Sequence, residues 1–226
     1  MKRIILVPAI LAAFSARGAL AGANASSSLP YAKLVASQVA FAQLPLAERD
    51  KLLLNTVIRH ADAANHTPIH AWVEAGGKRI DIPLAEDGAI QLPLQPDWIT
   101  QDLTVQTDQP KGTLRAETDL QIAIPPLEKL TAAYLTAAAS QAQAAITDGV
   151  RKMAGVLGLL FVPKVKGVEI KFDGCCKNTV RFGASTASFP ENASSVVDIP
   201  TATLAGLSAA GVSASGPIKS IGPWVD

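Results

Sequence analysis

A single strongly helical segment, residues 127–162, constrains what this chain can fold into. Pro125 and Pro126 precede it, and Pro163 lacks the amide that a continuing helix would need. Apolar side chains recur at alternating spacings of four and three residues, which places them on one helix face. These are Ile146, Val150, Met153, Leu157 and Leu160. The pattern predicts a central amphipathic helix whose apolar face is buried against a sheet.

Two features qualify this helix. Asp148-Gly149 could divide it into two helices, since glycine lowers helix propensity. The apolar run at 156–162 is shorter than the roughly 20 residues that span a bilayer. It is therefore expected to be a buried helix end, with contact to lipid or to a partner as the alternative.

The first 21 residues have the three parts of a secretory signal peptide. Lys2 and Arg3 give a basic start, an apolar run follows, and Ala19-Leu20-Ala21 ends the segment with a small-x-small signal. We expect cleavage near Ala21 and a mature chain in the periplasm or outside the cell.

Loss of this segment leaves 17 basic and 19 acidic residues, a net charge of −2. With only 5% aromatic residues, this balance argues against nucleic-acid binding.

Alternating aliphatic residues predict antiparallel strands before the helix. A short helix is expected in 31–44. The pattern at 52–60 fits a strand or a helix, and its β-branched residues favour a strand. Residues 69–73, 80–84 and 90–94 then alternate, separated by the hairpin signals Gly76-Gly77 and Asp87-Gly88. This predicts a three-stranded meander, followed by strands at 103–107 and 112–124. In the last strand the aliphatic residues up to Ile124 should face the core, and Arg115, Glu117 and Asp119 should face water.

The strands after the helix predict a second meander, beginning at 168–172 and 179–182. Placing Pro93 on Pro200 gives an ungapped alignment of the two regions. It pairs Ile90 with Val197, Leu92 with Ile199, Val105 with Val212, and Pro110 with Pro217. Residues 69–73 could also match 168–172 with an insertion. These matches predict an internal duplication.

The sequence therefore predicts an α+β chain with two related antiparallel β units, sandwich-like meanders, linked by the central amphipathic helix. The expected organisation is a signal peptide at 1–21, a linker at 22–30, an N-terminal β unit at 31–126, the helix at 127–163 and a C-terminal β unit at 164–226. No transmembrane span is expected in the mature chain.

Four segments carry a resemblance to a group of proteins. They are LPYAKL at 29–34, DGAIQLP at 87–93, TDQPKGTL at 107–114 and PKVKGVEI at 163–170. Together with the signal peptide they resemble uncharacterised secreted bacterial proteins. The resemblance implies an envelope protein and carries over no catalytic residue or cofactor.

The histidines concentrate in one segment, which makes it the candidate metal site. His60, Asp62, His66 and His70 carry ligand groups for zinc or another transition metal. If 61–67 were a hairpin loop, His60 and His70 would approach each other across it. No standard ligand spacing is present, so unrelated histidines in an exposed loop are the favoured interpretation.

Other chemistry-bearing residues are weaker candidates. Cys175 and Cys176 are adjacent, which allows a strained vicinal disulfide, an intermolecular disulfide or two free thiols. Ser208 lies in a small-residue segment without nucleophile-elbow spacing. Glu117 and Asp119 could flank a sugar, although a solvated strand face is the commoner outcome.

These observations favour a non-catalytic periplasmic or secreted binding or envelope-assembly module without a cofactor. Its expected partner is another protein or a second copy of the chain. A metal-dependent or glycan hydrolase and a lipid-contacting protein are the alternatives.

Overall fold

The computed structural model describes residues 26–84, 90–158, 162–173, 178–183, 188–192, 196–207 and 210–225, with backbone only at 26, 27 and 153–158. It is 29% helix and 44% strand, and its sheets are antiparallel, which confirms the α+β class. The predicted signal peptide, the Asp87-Gly88 turn, Cys175, Cys176 and Ser208 lie outside the described residues.

Six helices and thirteen strands are described along the chain. The helices are α1 (Tyr31–Leu34), α2 (Ala36–Ala42), α3 (Leu46–Arg49), α4 (Pro96–Thr100), α5 (Ala132–Gly158) and α6 (Thr201–Gly206). The strands are β1 (Ser26–Pro30), β2 (Leu52–His60), β3 (Ala71–Ala75), β4 (Lys78–Ile82), β5 (Ile90–Leu92), β6 (Thr104–Pro110), β7 (Leu114–Ile122), β8 (Val165–Phe172), β9 (Thr179–Phe182), β10 (Ser188–Pro190), β11 (Val196–Pro200), β12 (Val212–Ala214) and β13 (Ile218–Val225).

The described residues form two compact units. The N-terminal unit contains residues 26–43 and 54–119, and the C-terminal unit contains 44–53 and 120–225. Helix α5 therefore belongs with the strands that follow it. Residues 26–30, expected to be linker, form β1 because they pair along β6.

The N-terminal unit contains the strand orders β1-β6-β3-β4 and β7-β2-β5. The β3–β4 hairpin is confirmed, and Gly76 and Gly77 adopt the positive φ angles, 57° and 74°, that its two-residue turn requires. The predicted three-stranded meander is wrong, because β5 pairs with β2 and not with β4. An isolated bridge between Leu84, just after β4, and Ile90 is the contact described on that side. Alternation identifies the buried face of a strand but not the neighbouring strand.

The apolar core of the N-terminal unit surrounds a tyrosine at the start of α1. Tyr31 is fully buried, donates its hydroxyl hydrogen to the Pro93 carbonyl and accepts a hydrogen bond from the Gln95 N–H at 2.8 Å. Its ring meets Trp98 edge to face at 5.2 Å. Around it lie Val35, Ile58, Ile69, Ala71, Val73, Ile82, Ile90, Leu92 and Val105.

Strand β7 departs from the predicted alternation. Leu120 and Ile122 are buried as expected, but Ala116 and Ile124 are exposed and Glu117 is only 9% exposed. The expectation that Glu117 faces water is therefore wrong. Its carboxylate is neutralised by arginines, which is what a buried charge requires.

Helix α5 dominates the C-terminal unit, but it begins later than predicted. Leu127–Lys129 form a 3-10 turn, and Thr131 forms a bridge with Gly211, which keeps this stretch extended. The helix then runs unbroken through Asp148 and Gly149, so the division considered at these residues does not occur. Of the predicted stripe, Ile146 is buried and Val150 half-buried, whereas the side chains of Met153, Leu157 and Leu160 lie outside the described residues.

The described buried face of α5 consists mainly of alanines at helical spacing. It contains Ala132, Leu135, Ala138, Ala139, Ala142 and Ile146. Gln143 ties the helix to β8, because its amide oxygen accepts the Val165 N–H at 2.7 Å and its amide nitrogen donates to the Pro163 carbonyl. Small side chains let the helix backbone approach its neighbours closely.

The C-terminal unit contains the strand orders β11-β8-β13 and β10-β9-β12. Val168, Ile170 and Phe172 form a buried alternating face on β8, as predicted. The second meander is wrong, because β8 pairs with β11 and β13, while β9 pairs with β10 and β12.

The two units share one topology. β5-β2-β7 corresponds to β11-β8-β13, and β6-β3-β4 corresponds to β12-β9-β10. In each unit the first residue of the main helical segment donates its N–H to a carbonyl just before the equivalent strand. Tyr31 donates to Leu103, one residue before β6, at 2.9 Å, and Ala132 donates to Ala210, two residues before β12, at 3.0 Å. Strand β8 thus corresponds to β2, and not to residues 69–73 as the sequence suggested.

Gly167 in β8 gives a test of the C-terminal sheet. A Cβ at this position would lie 2.1 Å from the Ile199 carbonyl oxygen on β11, so the strand backbone would have to shift. We expect Gly167→Ala to destabilise the protein by about 1–3 kcal/mol, the usual cost of overpacking. Urea denaturation monitored by circular dichroism measures this change.

The matched control is Gly149→Ala in α5, where an added Cβ meets no atom within 4 Å. It should stabilise the helix by about 0.5–1 kcal/mol, because alanine loses less backbone entropy than glycine. An unchanged denaturation midpoint for Gly167→Ala would contradict the described β8–β11 pairing.

Candidate functional site

A cavity of about 30 Å³ lies in the N-terminal unit. We call it the N-terminal cavity. Its lining residues come from β1, α1, β2, β6, β7 and the turn between the last two strands. They are Leu29, Leu34, Ile58, Val105, Thr107, Gly112, Leu114, Arg115 and Ala116. The volume is large enough for a water molecule, but the walls are almost entirely apolar, which favours an apolar group instead.

Local structure explains how these walls are held. Leu34 ends α1, and its carbonyl accepts a hydrogen bond from the Thr56 hydroxyl at 3.1 Å, which ties the helix to β2. Leu29 lies opposite Val105 in the β1–β6 pair. Gly112 has a φ of 86°, a conformation that glycine adopts without strain, so the turn into β7 leaves no side chain across the cavity.

The sequence analysis missed this cavity, although two of the segments that carry the resemblance contribute to it. LPYAKL supplies Leu29 and Leu34, and TDQPKGTL supplies Thr107, Gly112 and Leu114. These residues are distant in sequence and carry no reactive group. The presence of these residues in the LPYAKL and TDQPKGTL segments was the only sequence signal that could have pointed to them.

A charged cluster lies beside the cavity. Arg115, which lines the cavity, places its Nε 2.6 Å from Glu117 Oε1, and Arg59 Nε lies 3.7 Å from Oε2. The Arg115 contact has the geometry of an ion pair rather than a hydrogen bond. Two guanidinium groups thus contact one carboxylate, and the Arg115 side chain is 43% exposed.

The structure does not assemble the candidate histidine site. Residues 61–70 connect strands of different sheets, so the hairpin loop considered for this segment is wrong. His60 is buried and donates its Nε2–H to the Thr67 carbonyl at 2.7 Å, since a carbonyl can only accept. Asp62 accepts a backbone N–H two residues later, and His66 and His70 are exposed. No group of three metal-ligating side chains occurs within the described residues.

Asp108 stabilises the end of the 61–70 connection through hydrogen bonds. Burial alone would raise the pKa of its carboxyl, but hydrogen bonds from the His70 backbone N–H and the Gln109 amide bring the pKa below its ordinary value. His70 therefore contributes here through its backbone N–H.

An acidic pair on the C-terminal unit was not singled out from the sequence. Glu169 on β8 lies directly opposite Asp198 on β11. Asn192 donates an amide hydrogen to Asp198 at 2.8 Å, and Lys171 pairs with Glu169 at 2.9 Å. Burial raises the pKa of the Asp198 carboxyl, the Asn192 hydrogen bond opposes this, and the charge of Glu169 adds to the increase.

Several sequence candidates cannot be placed. Cys175, Cys176, Ser208 and the side chains of the apolar run at the end of α5 fall in parts of the chain that the structure does not describe. In the parts it does describe, no helix combines the length and apolarity needed to cross a membrane.

Comparison with known proteins gives no relative: no family model, curated protein or solved structure matches this chain.

Asp198 gives a pH-dependent prediction. The pKa of its carboxyl is higher in the folded chain than its ordinary value, so folding favours the protonated form. The free energy of unfolding therefore falls as the pH rises and the carboxyl ionises. We expect Asp198→Asn to raise the free energy of unfolding at neutral pH by up to about 1 kcal/mol, the scale of a cross-strand pair of like charges. The gain should vanish as the pH falls below about 3.9, where the ordinary carboxyl is also protonated.

Urea denaturation between pH 3.5 and 7 measures this effect. Glu128→Gln, an exposed change in the 3-10 turn, serves as the control and should show no comparable trend. A gain in Asp198→Asn that does not depend on pH would contradict the described pair.

Proposed function

We propose that this chain is a non-catalytic binding module that works in the periplasm or outside the cell, and that the N-terminal cavity is its ligand site. The observation that carries the proposal is an apolar cavity built partly from the LPYAKL and TDQPKGTL segments. Small-molecule sites are mostly apolar, with a few polar groups that orient the ligand. Thr107 and Arg115 are the polar residues of this lining.

The chemistry of the lining favours binding over hydrolysis. Its side chains supply no acid–base pair and no set of metal ligands. The glycan-hydrolase alternative relied on Glu117, whose carboxylate is engaged by two arginines. The metal-dependent alternative relied on the histidine segment, where His60 already donates to a carbonyl.

An internal duplication is part of this proposal. It is supported by the shared strand order and by the burial of residues that the ungapped alignment equates. Ile90 and Val197 lie opposite Ile58 and Ile170, so equated residues meet equivalent strands. A duplicated binding module can keep one copy as a scaffold while the other acquires a ligand site.

Association with a protein or a second copy is the second candidate. β4 is the outer strand of its sheet, and Ile80 on it and Leu84 just beyond it are 40% and 44% exposed. Such an edge can accept a strand from another chain. A stable dimer in size-exclusion chromatography that Ile80→Asp dissociates would support this candidate.

Ala116→Leu tests the ligand site. Ala116 lines the cavity but is exposed, so a larger side chain can fill the opening at little cost in stability. We expect at least one of a panel of short aliphatic alcohols, amines and carboxylates to raise the melting temperature of the mature protein, and none to do so in Ala116→Leu. Differential scanning fluorimetry measures both.

Ala144→Leu, at an exposed position of α5, makes the same change outside the cavity and should respond as the parent does. If no compound stabilises the parent, or if Ala116→Leu responds like the parent, the cavity is not the ligand site.

A further inference from the structure

The β3–β4 hairpin leaves hydrogen-bonding groups at the edge of its sheet. Strand β4 comes last in the order β1-β6-β3-β4, and no strand among the described residues pairs with its outer side, which we call the β4 edge. The two-residue turn places Lys78 opposite Ala75 as its closing hydrogen-bonded pair. Because hydrogen bonds alternate in side along an antiparallel strand, Ile80 also bonds towards β3, whereas the N–H and C=O groups of Arg79 and Asp81 point outward.

The side chains of β4 are accessible along this edge. Exposed fractions are 52% and 71% for the side chains of Arg79 and Asp81, and 40% for Ile80. Ile80 lies opposite Val73, which is fully buried. It is therefore an apolar residue at the rim of the core, in a position that a further strand would cover.

The equivalent edge of the C-terminal unit is shorter. There β10 takes the place of β4, has three residues where β4 has five, and ends at Pro190, which has no N–H to donate. Short edge strands and prolines are common protections against pairing with another chain. β4 contains no proline and ends just before Pro83, so it can pair over its whole length.

Charged side chains can also protect an edge, but those of β4 carry both signs. If a second copy of β4 pairs antiparallel through the outward groups, the two-fold axis can pass through Arg79, Ile80 or Asp81. An axis at Arg79 sets arginine against arginine, and an axis at Asp81 sets aspartate against aspartate, which is destabilising. An axis at Ile80 instead sets each Arg79 against an Asp81 and the two isoleucines against each other. The charges thus select one register.

We propose that this chain forms a two-fold symmetric dimer in which β4 pairs antiparallel with β4 of a second copy, with Ile80 at the axis. The inference rests on the second candidate function, association through the β4 edge, and names the partner and the register. Arg79 and Asp81 already lie 2.6 Å apart within one strand, and the axis adds the same pair from the second copy, so the charges alternate in sign. The Trp72 ring, 4.1 Å from the Arg79 guanidinium, helps to hold it in place. An interface made of the same patch on both copies is closed, so the assembly stops at two.

Two single charge variants test this register by sedimentation velocity. The parent should dimerise as its concentration rises. Arg79→Asp sets aspartate against Asp81, and Asp81→Arg sets arginine against Arg79, so each variant alone should dimerise about tenfold more weakly, since attractive pairs become repulsive. Mixed in equal amounts, the two variants should associate as tightly as the parent, because every arginine then faces an aspartate. Lys152→Asp is the matched control, since it removes an exposed ion pair, with Asp148 at 2.8 Å, far along the chain from β4. It should dimerise as the parent does.

Disulfide crosslinking measures the register independently of the charges. The axis makes the two Ile80 residues a non-hydrogen-bonded pair, whose Cα atoms lie about 4.5 Å apart and can be bridged by a disulfide. In a background that carries Cys175→Ser and Cys176→Ser, Ile80→Cys should form a covalent dimer under mild oxidation. Lys78→Cys, on the same face of β4, should not, because the register sets Lys78 against Ile82.

The outcomes separate this inference from the proposed ligand site. A parent that stays monomeric at every concentration would overturn the dimer and leave the N-terminal cavity unaffected. A dimer that neither charge variant weakens, or a mixture that associates no better than the single variants, would overturn pairing through β4. If circular dichroism shows a charge variant to be unfolded, the crosslinking of Ile80→Cys against Lys78→Cys decides the question, and equal crosslinking of the two would contradict the register.

Discussion

Both units depend on one backbone interaction, in which a short extended segment turns directly into a helix. The N–H of the first helical residue, Tyr31 or Ala132, donates to a carbonyl one or two positions ahead of the equivalent strand, at Leu103 or Ala210. This hydrogen bond satisfies a helix N-terminal donor that would otherwise lack a partner. It also fixes where the helix enters relative to its sheet, and therefore which side chains reach the core. Leu34 and Leu135 follow three residues later in equivalent positions.

What differs between the units is how the space beneath the helix is filled. In the C-terminal unit, alanines on a 27-residue helix permit close approach, and Leu130, Leu135 and Ile170 are fully buried. In the N-terminal unit, two short helices replace the long one, and Leu34, the equivalent of Leu135, lines a cavity. Native cores contain few voids larger than a water molecule, because unfilled space forfeits packing energy. The proposed ligand site depends on this cavity.

Local patterns in the sequence predicted the elements, and longer-range packing decided how they pair. Alternation was sufficient for β8, β-branched residues favoured a strand over a helix at β2, and the Gly76-Gly77 turn was sufficient for one hairpin, since these signals involve neighbouring residues only. The pairing of β5 with β2 was not predictable, because nothing in either strand identifies its neighbour. The buried face of α5 was underestimated because alanine gives a weak apolar signal, and the burial of Glu117 depends on arginines from two strands. A cavity is harder still to predict, because it is defined by space that side chains from five elements do not fill.

The central claim is that Leu135 of the C-terminal unit is fully buried, whereas its equivalent in the N-terminal unit, Leu34, lines an apolar cavity. The most direct test is the anomalous diffraction of xenon in a pressurised crystal of the mature protein, because xenon enters dry apolar cavities without needing a polar partner. The account predicts a xenon peak beside Ile58 and Val105, and none among Leu130, Leu135 and Ile170. No peak in the N-terminal unit, or an equally strong peak in the core of the C-terminal unit, would contradict it.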